Sequence, residues 1–196
     1  MGRCTTQKIM RSGDCDEQSS SQVQTSQRLI YLSGTVSEAS ITAVTTQLLS
    51  LASQDDSPIN LVISTYGGSV HEMFSLYDTI KFLNCPVHTV GLGKIMSAGV
   101  LLLASGEKGK RLIGPSARVM IHSMSSVSWG NVFDMENELQ ETKYLQRFMT
   151  DALLEETKIT KEQLMKLFKS KTDTYFSALE AVKLGIVDKI MSNKKK

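Results

Sequence analysis

From Arg28 onward the chain alternates short apolar runs with stretches in which apolar residues recur every three or four positions, and that alternation limits the folds open to it. Leu29 to Leu32 is a compact apolar run closed by Ser33-Gly34, the pattern of a buried strand and a turn. Ser37 caps a helix with Ile41, Val44, Leu48 and Leu49 on its apolar side, ending near the breaker Asp55-Asp56-Ser57-Pro58. Asn60 to Ser64 is a second strand. Gly67-Gly68-Ser69 then turns the chain into a helix with Val70, Met73, Tyr77 and Ile80 on one stripe, and Pro86 precedes a third strand, Val87 to Leu92. Strands separated by helices cannot pair as tight hairpins, so the pattern predicts an α/β fold: a parallel sheet covered by helices, with right-handed crossovers.

The rest of the chain continues the pattern. Ser97 to Ser105 predicts a helix buried on most sides, because Val100 to Leu103 are consecutive apolar residues. Short strands are expected around Arg111 to Ile113 and Arg118 to Ile121. Residues 131 to 156 place Val132, Met135, Leu139, Leu145, Met149 and Leu153 at helical spacing, giving one long amphipathic helix. A shorter helix starts at Lys161, another runs from Ser177 to Gly185, and Ile186 to Ile190 is a last strand. No internal repeat is evident.

With 196 residues there is room for one domain with a sizeable core. The polar segment 1–27 is expected to be flexible, residues 28–190 to form the domain, and 191–196 to be a basic tail. Lys and Arg number 22 against 20 Asp and Glu, so no broad basic surface for nucleic acid is expected. Cys4, Cys15 and Cys85 show no metal-ligand spacing, and an odd count argues against a closed disulfide framework. No apolar stretch reaches the roughly 18 to 20 residues of a membrane span. A soluble cytoplasmic protein is expected, with an organelle matrix or stroma also compatible.

Three segments carry the chemistry. A serine hydroxyl becomes nucleophilic when an imidazole accepts its proton, and a carboxylate can fix that imidazole's tautomer. Ser97 sits where a turn between Gly93 and Gly99 opens a helix, His122 ends an apolar strand, and Asp173 lies in a connection between helices. Each alone also fits an ordinary role: a helix cap, a structural histidine, a solvated carboxylate. His71 and His88 read as structural, and Lys94, three residues before Ser97, raises an alternative Ser-Lys arrangement that suits a solvated lysine better. Gly67-Gly68 lets backbone amides approach a ligand, or simply makes a tight turn.

Taken together these segments resemble the proteolytic subunits of the Clp protease, the ClpP family. The resemblance runs from about Arg28 to Ile190 through Arg28-Leu29-Ile30-Tyr31-Leu32, Gly67-Gly68-Ser69-Val70, Ser97 to Gly106, Lys108-Gly109-Lys110-Arg111, Met120-Ile121-His122, Ser177 to Ala181 and Gly185-Ile186-Val187-Asp188. It implies a crotonase-like ClpP fold of repeated ββα-type units with an outlying handle helix. It implies Ser97 as nucleophile, His122 as general base, Asp173 as orienting carboxylate, and the backbone amides of Gly68 and Ala98 as an oxyanion hole. Gly67, Ser69, Ser123, Met124 and Ser125 would line the substrate cleft, with no metal or cofactor. It further implies a homo-oligomer, a ring of seven subunits with two rings stacked, that cuts unfolded polypeptides delivered by an AAA+ unfoldase such as ClpX or ClpA/ClpC.

The chain departs from the family pattern at Tyr66 (usually Pro), Ala98 (usually Met), Thr172 (often Arg) and Ser123 to Val127 (usually Gln-Pro-Leu-Gly-Gly). The alternative reading is a catalytically silent ring subunit acting as structural partner of an active paralogue. An acyl-CoA enzyme of the same superfamily is disfavoured by the shorter chain and the complete triad.

Overall fold

The computed structural model describes residues 28–170 and 172–192. The N-terminal segment 1–27, expected to be flexible, and all of the basic tail beyond Ser192 lie outside the described residues. Among the described residues no helix is long and apolar enough to cross a membrane.

β1 (Leu29–Val36), β2 (Ile59–Gly68) and β3 (Val87–Met96) form the centre of a seven-stranded sheet, completed by β4 (Leu112–Ile113), β5 (Arg118–Ile121), β6 (Thr174–Ser177) and β7 (Lys189–Ile190). The order β1-β2-β3-β4-β7 is parallel throughout, as helix-separated strands require. β2 is apolar at consecutive positions, Leu61, Val62 and Ile63, because helices cover it and neither face meets water. α1 (Glu38–Ala52) packs on β1 and β2, α2 (Val70–Phe82) packs against α1 and α3, and α3 (Ala98–Ala104) is buried along its whole length.

Ser37 caps α1 through a reciprocal capping box with Ser40. Its buried stripe is Ile41, Val44, Leu48 and Leu51. Leu49, expected on that stripe, is exposed, since the 3-4-3 spacing carries the buried face from Leu48 to Leu51.

Several strand limits differ from the expectations. β2 extends to Gly68 and β3 to Met96, so both glycine segments read as turns are ends of strands. Gly93, at φ 65°, bends β3 without ending it. The register slips there: Ile63 faces Gly91 but Thr65 faces Ile95. Before the bend β3 pairs with β4, and after it Lys94 to Met96 pair with Arg118 to Met120 of β5. The bend therefore splits one strand between two partners and leaves β5 beside the end of β3. Thr174–Ser177, expected as a loop before a helix, is a strand antiparallel to β5. The strand expected over Ile186 to Ile190 is reduced to Lys189–Ile190; Ile186 and Val187 are buried without entering the ladder.

α4 (Val132–Glu156), α5 (Lys161–Lys169) and α6 (Ala178–Lys183) are the remaining helices among the described residues. Asn131 caps α4 with a box to Asp134. At 25 residues α4 is about 37 Å long. Met149, Ala152 and Leu153 near its C-terminus join the core, whereas Val132, Phe133, Met135 and Leu139 are exposed. It is an outlying helix rooted at one end. The root is polar as well as apolar: Glu156, 2% exposed, takes Lys81 Nζ at 2.5 Å and the Tyr77 hydroxyl at 3.1 Å. Burial and the neighbouring Glu156 charge push the Tyr77 phenol well above its usual range.

Candidate active site

Ser97 follows β3 directly, with its amide donating to Met120 O on β5 at 2.9 Å. Its backbone stands at φ 53°, ψ −120°, a conformation L residues rarely adopt. Its hydroxyl makes no capping hydrogen bond to α3. Instead Ser97 Oγ lies 2.8 Å from His122 Nε2.

The sheet explains this meeting. Met96 pairs with Met120 in the parallel β3–β5 ladder, so the residue after β3 and the residue after β5 leave the same edge together. The antiparallel β5–β6 ladder pairs Ile121 with Thr174, and one further step in that register sets His122 opposite Asp173. His122 Nδ1 stands 3.8 Å from Asp173 Oδ1, beyond hydrogen-bond length, and the Asp173 side chain is half exposed. The Asp173 carboxylate therefore faces Nδ1 across a gap without hydrogen-bonding to it.

Gly67 and Gly68 are dictated by the same crowding. Gly67, at φ 96°, would carry a Cβ 2.7 Å from Ser97 Cβ and 2.9 Å from Met96 O. A Cβ on Gly68, at φ 152°, would run into the Val36 carbonyl. Buried Thr65 shapes this segment by donating to Gly34 O at 2.5 Å and accepting from Gly67 N at 2.9 Å. Sequence reasoning passed over Thr65, and nothing in its local pattern separates it from any strand threonine.

A crevice opens at Ser97 and His122. Gly68 and Ala98 line it, as do Val70 and Met73 from α2, Met124 and Ser125 after His122, and Met149 from α4. Of the other expected cleft residues, Gly67 packs behind Ser97, Ser69 Oγ accepts from Glu72 N at 3.4 Å as the cap of α2, and Ser123 is half-buried outside the lining. Met149 was placed by sequence only as a core position of α4. Its second role depends on where α4 docks. Lys94 turns its ammonium over the Tyr66 ring, 4.6 Å from the centroid. His88 pairs with Glu107 at 2.8 Å, and His71 is exposed on α2.

The arrangement brings a hydroxyl, an imidazole and a carboxylate into one line at an open, partly apolar crevice, with the start of α3 beside the hydroxyl. Such a group can transfer an acyl unit from nitrogen or oxygen to the serine. A family model described as Clp protease matches residues 13–194. The ATP-dependent Clp protease proteolytic subunit of Carsonella ruddii (strain PV) is 31% identical over 169 residues, which make up 86% of this chain and 86% of that one. A match over nearly the whole chain, together with the mixed α/β architecture and its parallel sheet, shows that the chain belongs to the Clp protease family of peptidases.

Proposed function

We propose that the protein is a serine endopeptidase that hydrolyses unfolded polypeptides to short peptides in the cytoplasm, working with an ATP-driven AAA+ unfoldase such as ClpX or ClpA/ClpC. The observation that carries this reading is the 2.8 Å bond between Ser97 Oγ and His122 Nε2, made by a serine whose backbone is strained and whose hydroxyl caps nothing. Strain of this kind, on the order of 1–3 kcal/mol, persists where the surrounding structure imposes it, and it clusters at functional sites.

In the reaction His122 Nε2 takes the Ser97 proton as Oγ attacks the peptide carbonyl carbon. The tetrahedral oxyanion is met by the amides of Gly68 and Ala98, both on the crevice and the second at the positive end of α3. His122 then gives its proton to the leaving amine, the C–N bond breaks, and an acyl-enzyme remains on Ser97. Water, deprotonated by His122, attacks the ester carbonyl; the C–Oγ bond then breaks, His122 returns the proton to Ser97 Oγ, and the acid is released. Asp173, 3.8 Å from Nδ1, supplies the negative charge beside the imidazolium that forms during the reaction.

Assembly into rings of seven, two of them stacked, agrees with the exposed apolar side chains along α4. A fluorophosphonate probe should label Ser97, and Ser97→Ala should lose peptide hydrolysis. An alanine variant as active as the parent rules the reading out. The 3.8 Å separation of His122 from Asp173 favours a second reading, a silent ring subunit partnering an active paralogue. Peptide hydrolysis by the purified chain alone excludes that one.

A further inference from the structure

The segment that follows His122 is held by a side chain from a distant element. Gln146 Oε1, on α4, accepts the Met124 amide at 2.8 Å across 22 residues of sequence. Met124 packs partly against the core and lines the crevice with Ser97 and His122, and so does its neighbour Ser125. Met149, one helical turn beyond Gln146 on the same face of α4, lines it too. Residues 122 to 130 form no helix or strand and carry no ladder hydrogen bonds of their own. Their position against Ser97 has to come from such single contacts.

The other end of the same amide is informative. Gln146 Nε2 is buried and has no hydrogen-bond partner among the described residues. The Met124 N–H requires an oxygen at the position of Oε1, so the amide cannot be turned to satisfy the nitrogen without giving up the tether. A buried amide nitrogen left unpaired is costly, and the side chain retains this orientation because the oxygen end is used.

We infer that Gln146 is a positioning residue for the peptide substrate: its carbonyl fixes the Met124 backbone, and through it the Met124–Ser125 rim of the crevice, at the spacing from Ser97 that an extended chain requires. The inference rests on the serine-peptidase reading above. It ties substrate binding to the seating of α4. It also explains how a rim composed of Met124 and Ser125, with little intrinsic stiffness, can present a defined edge to a peptide.

The test compares Gln146→Met and Gln146→Glu with the parent in the full-length protein. Met has nearly the same shape with no acceptor. Glu keeps the one hydrogen bond that the Gln146 side chain makes among the described residues. The readouts are KM and kcat for a fluorogenic peptide, the rate of Ser97 labelling by a small fluorophosphonate that does not span the rim, and the thermal midpoint. For Gln146→Met, KM should rise about tenfold, the worth of one hydrogen bond, while labelling falls by less than about threefold. Gln146→Glu should bring KM back to within about threefold of the parent. An unchanged KM in Gln146→Met overturns the inference. So does a loss of labelling that matches the loss of peptide turnover, which would make Gln146 a support of the Ser97–His122 pair, or a Glu variant no better than Met at an equal thermal midpoint. A parent that is not labelled, or a Ser97→Ala variant that retains activity, sinks the serine-peptidase reading itself, and the inference with it.

Discussion

Ser97 Oγ and His122 Nε2 lie 2.8 Å apart although 25 residues separate them, and the contact is set by strand register rather than by any loop. Met96 faces Met120 across the β3–β5 ladder, so the two residues emerge together at one sheet edge. A contact fixed this way tolerates change in exposed loops and fails when the ladder or the backbone at Ser97 changes.

Ser97→Gly separates stability from activity. Glycine adopts positive φ without the Cβ penalty, so the variant should gain about 1 kcal/mol in chemical denaturation while peptide hydrolysis disappears. Ser97→Ala, which keeps the Cβ, should lose hydrolysis without that gain.

Asp173→Asn should have a milder effect than His122→Ala. The carboxylate stands 3.8 Å from Nδ1 and is half exposed, so a drop in kcat/KM of roughly 10- to 100-fold is expected, against at least about 1000-fold for His122→Ala. Steady-state hydrolysis of one peptide by both variants measures the difference.

Gly68→Ala should destabilise the fold by about 3 kcal/mol or more, because the added methyl meets the Val36 backbone carbonyl, which cannot rotate away. Gly67→Ala meets mainly Ser97 itself, so its first effect should be slower fluorophosphonate labelling. Thermal unfolding and labelling, run on both variants, distinguish the two outcomes.

Asp188 gives a pH signature. Burial alone would push its carboxyl up, but hydrogen bonds from the Arg111 side chain and backbone, the Arg111 charge and the Gly109 amide outweigh burial and hold it at about 2, below its ordinary 3.8. A carboxyl lowered on folding adds stability that is complete above its unfolded value and is lost as pH falls towards 2. Roughly 2 kcal/mol should disappear between about pH 4 and pH 2. Asp188→Asn should flatten that part of the stability curve measured by denaturant titration.

Lys81→Met leaves the buried Glu156 carboxylate without its cation and should cost roughly 2–3 kcal/mol. Adding Glu156→Gln should recover most of it, since the amide oxygen still accepts from Tyr77. Denaturant midpoints of the single and double variants test this.

Much of the architecture was legible along the chain. Ile41, Val44 and Leu48 recur at helical spacing, Leu61 to Ile63 form an unbroken apolar run, and helices between strands require parallel pairing, all consequences of period and burial that a sequence displays directly. Ser97, His122 and Asp173 could be singled out, yet each alone fits an ordinary role, and the match in order to the Clp family is what joined them. The antiparallel β6 was missed because Thr174 to Ser177 lacks the apolar run that marks Val119 to Ile121, and it pairs only through its register with β5.

What the sequence determined by itself is therefore the local content: which segments become helices or strands, which faces turn inward, and which residue types are available for acyl transfer. The tertiary structure alone decided how they meet. The slip at Gly93 passes β3 from β4 to β5, the β5–β6 ladder carries Asp173 to His122, and the docking of α4 brings Gln146 to Met124. These contacts join residues far apart in the chain, and their geometry follows from register and packing, which no local pattern of side chains encodes.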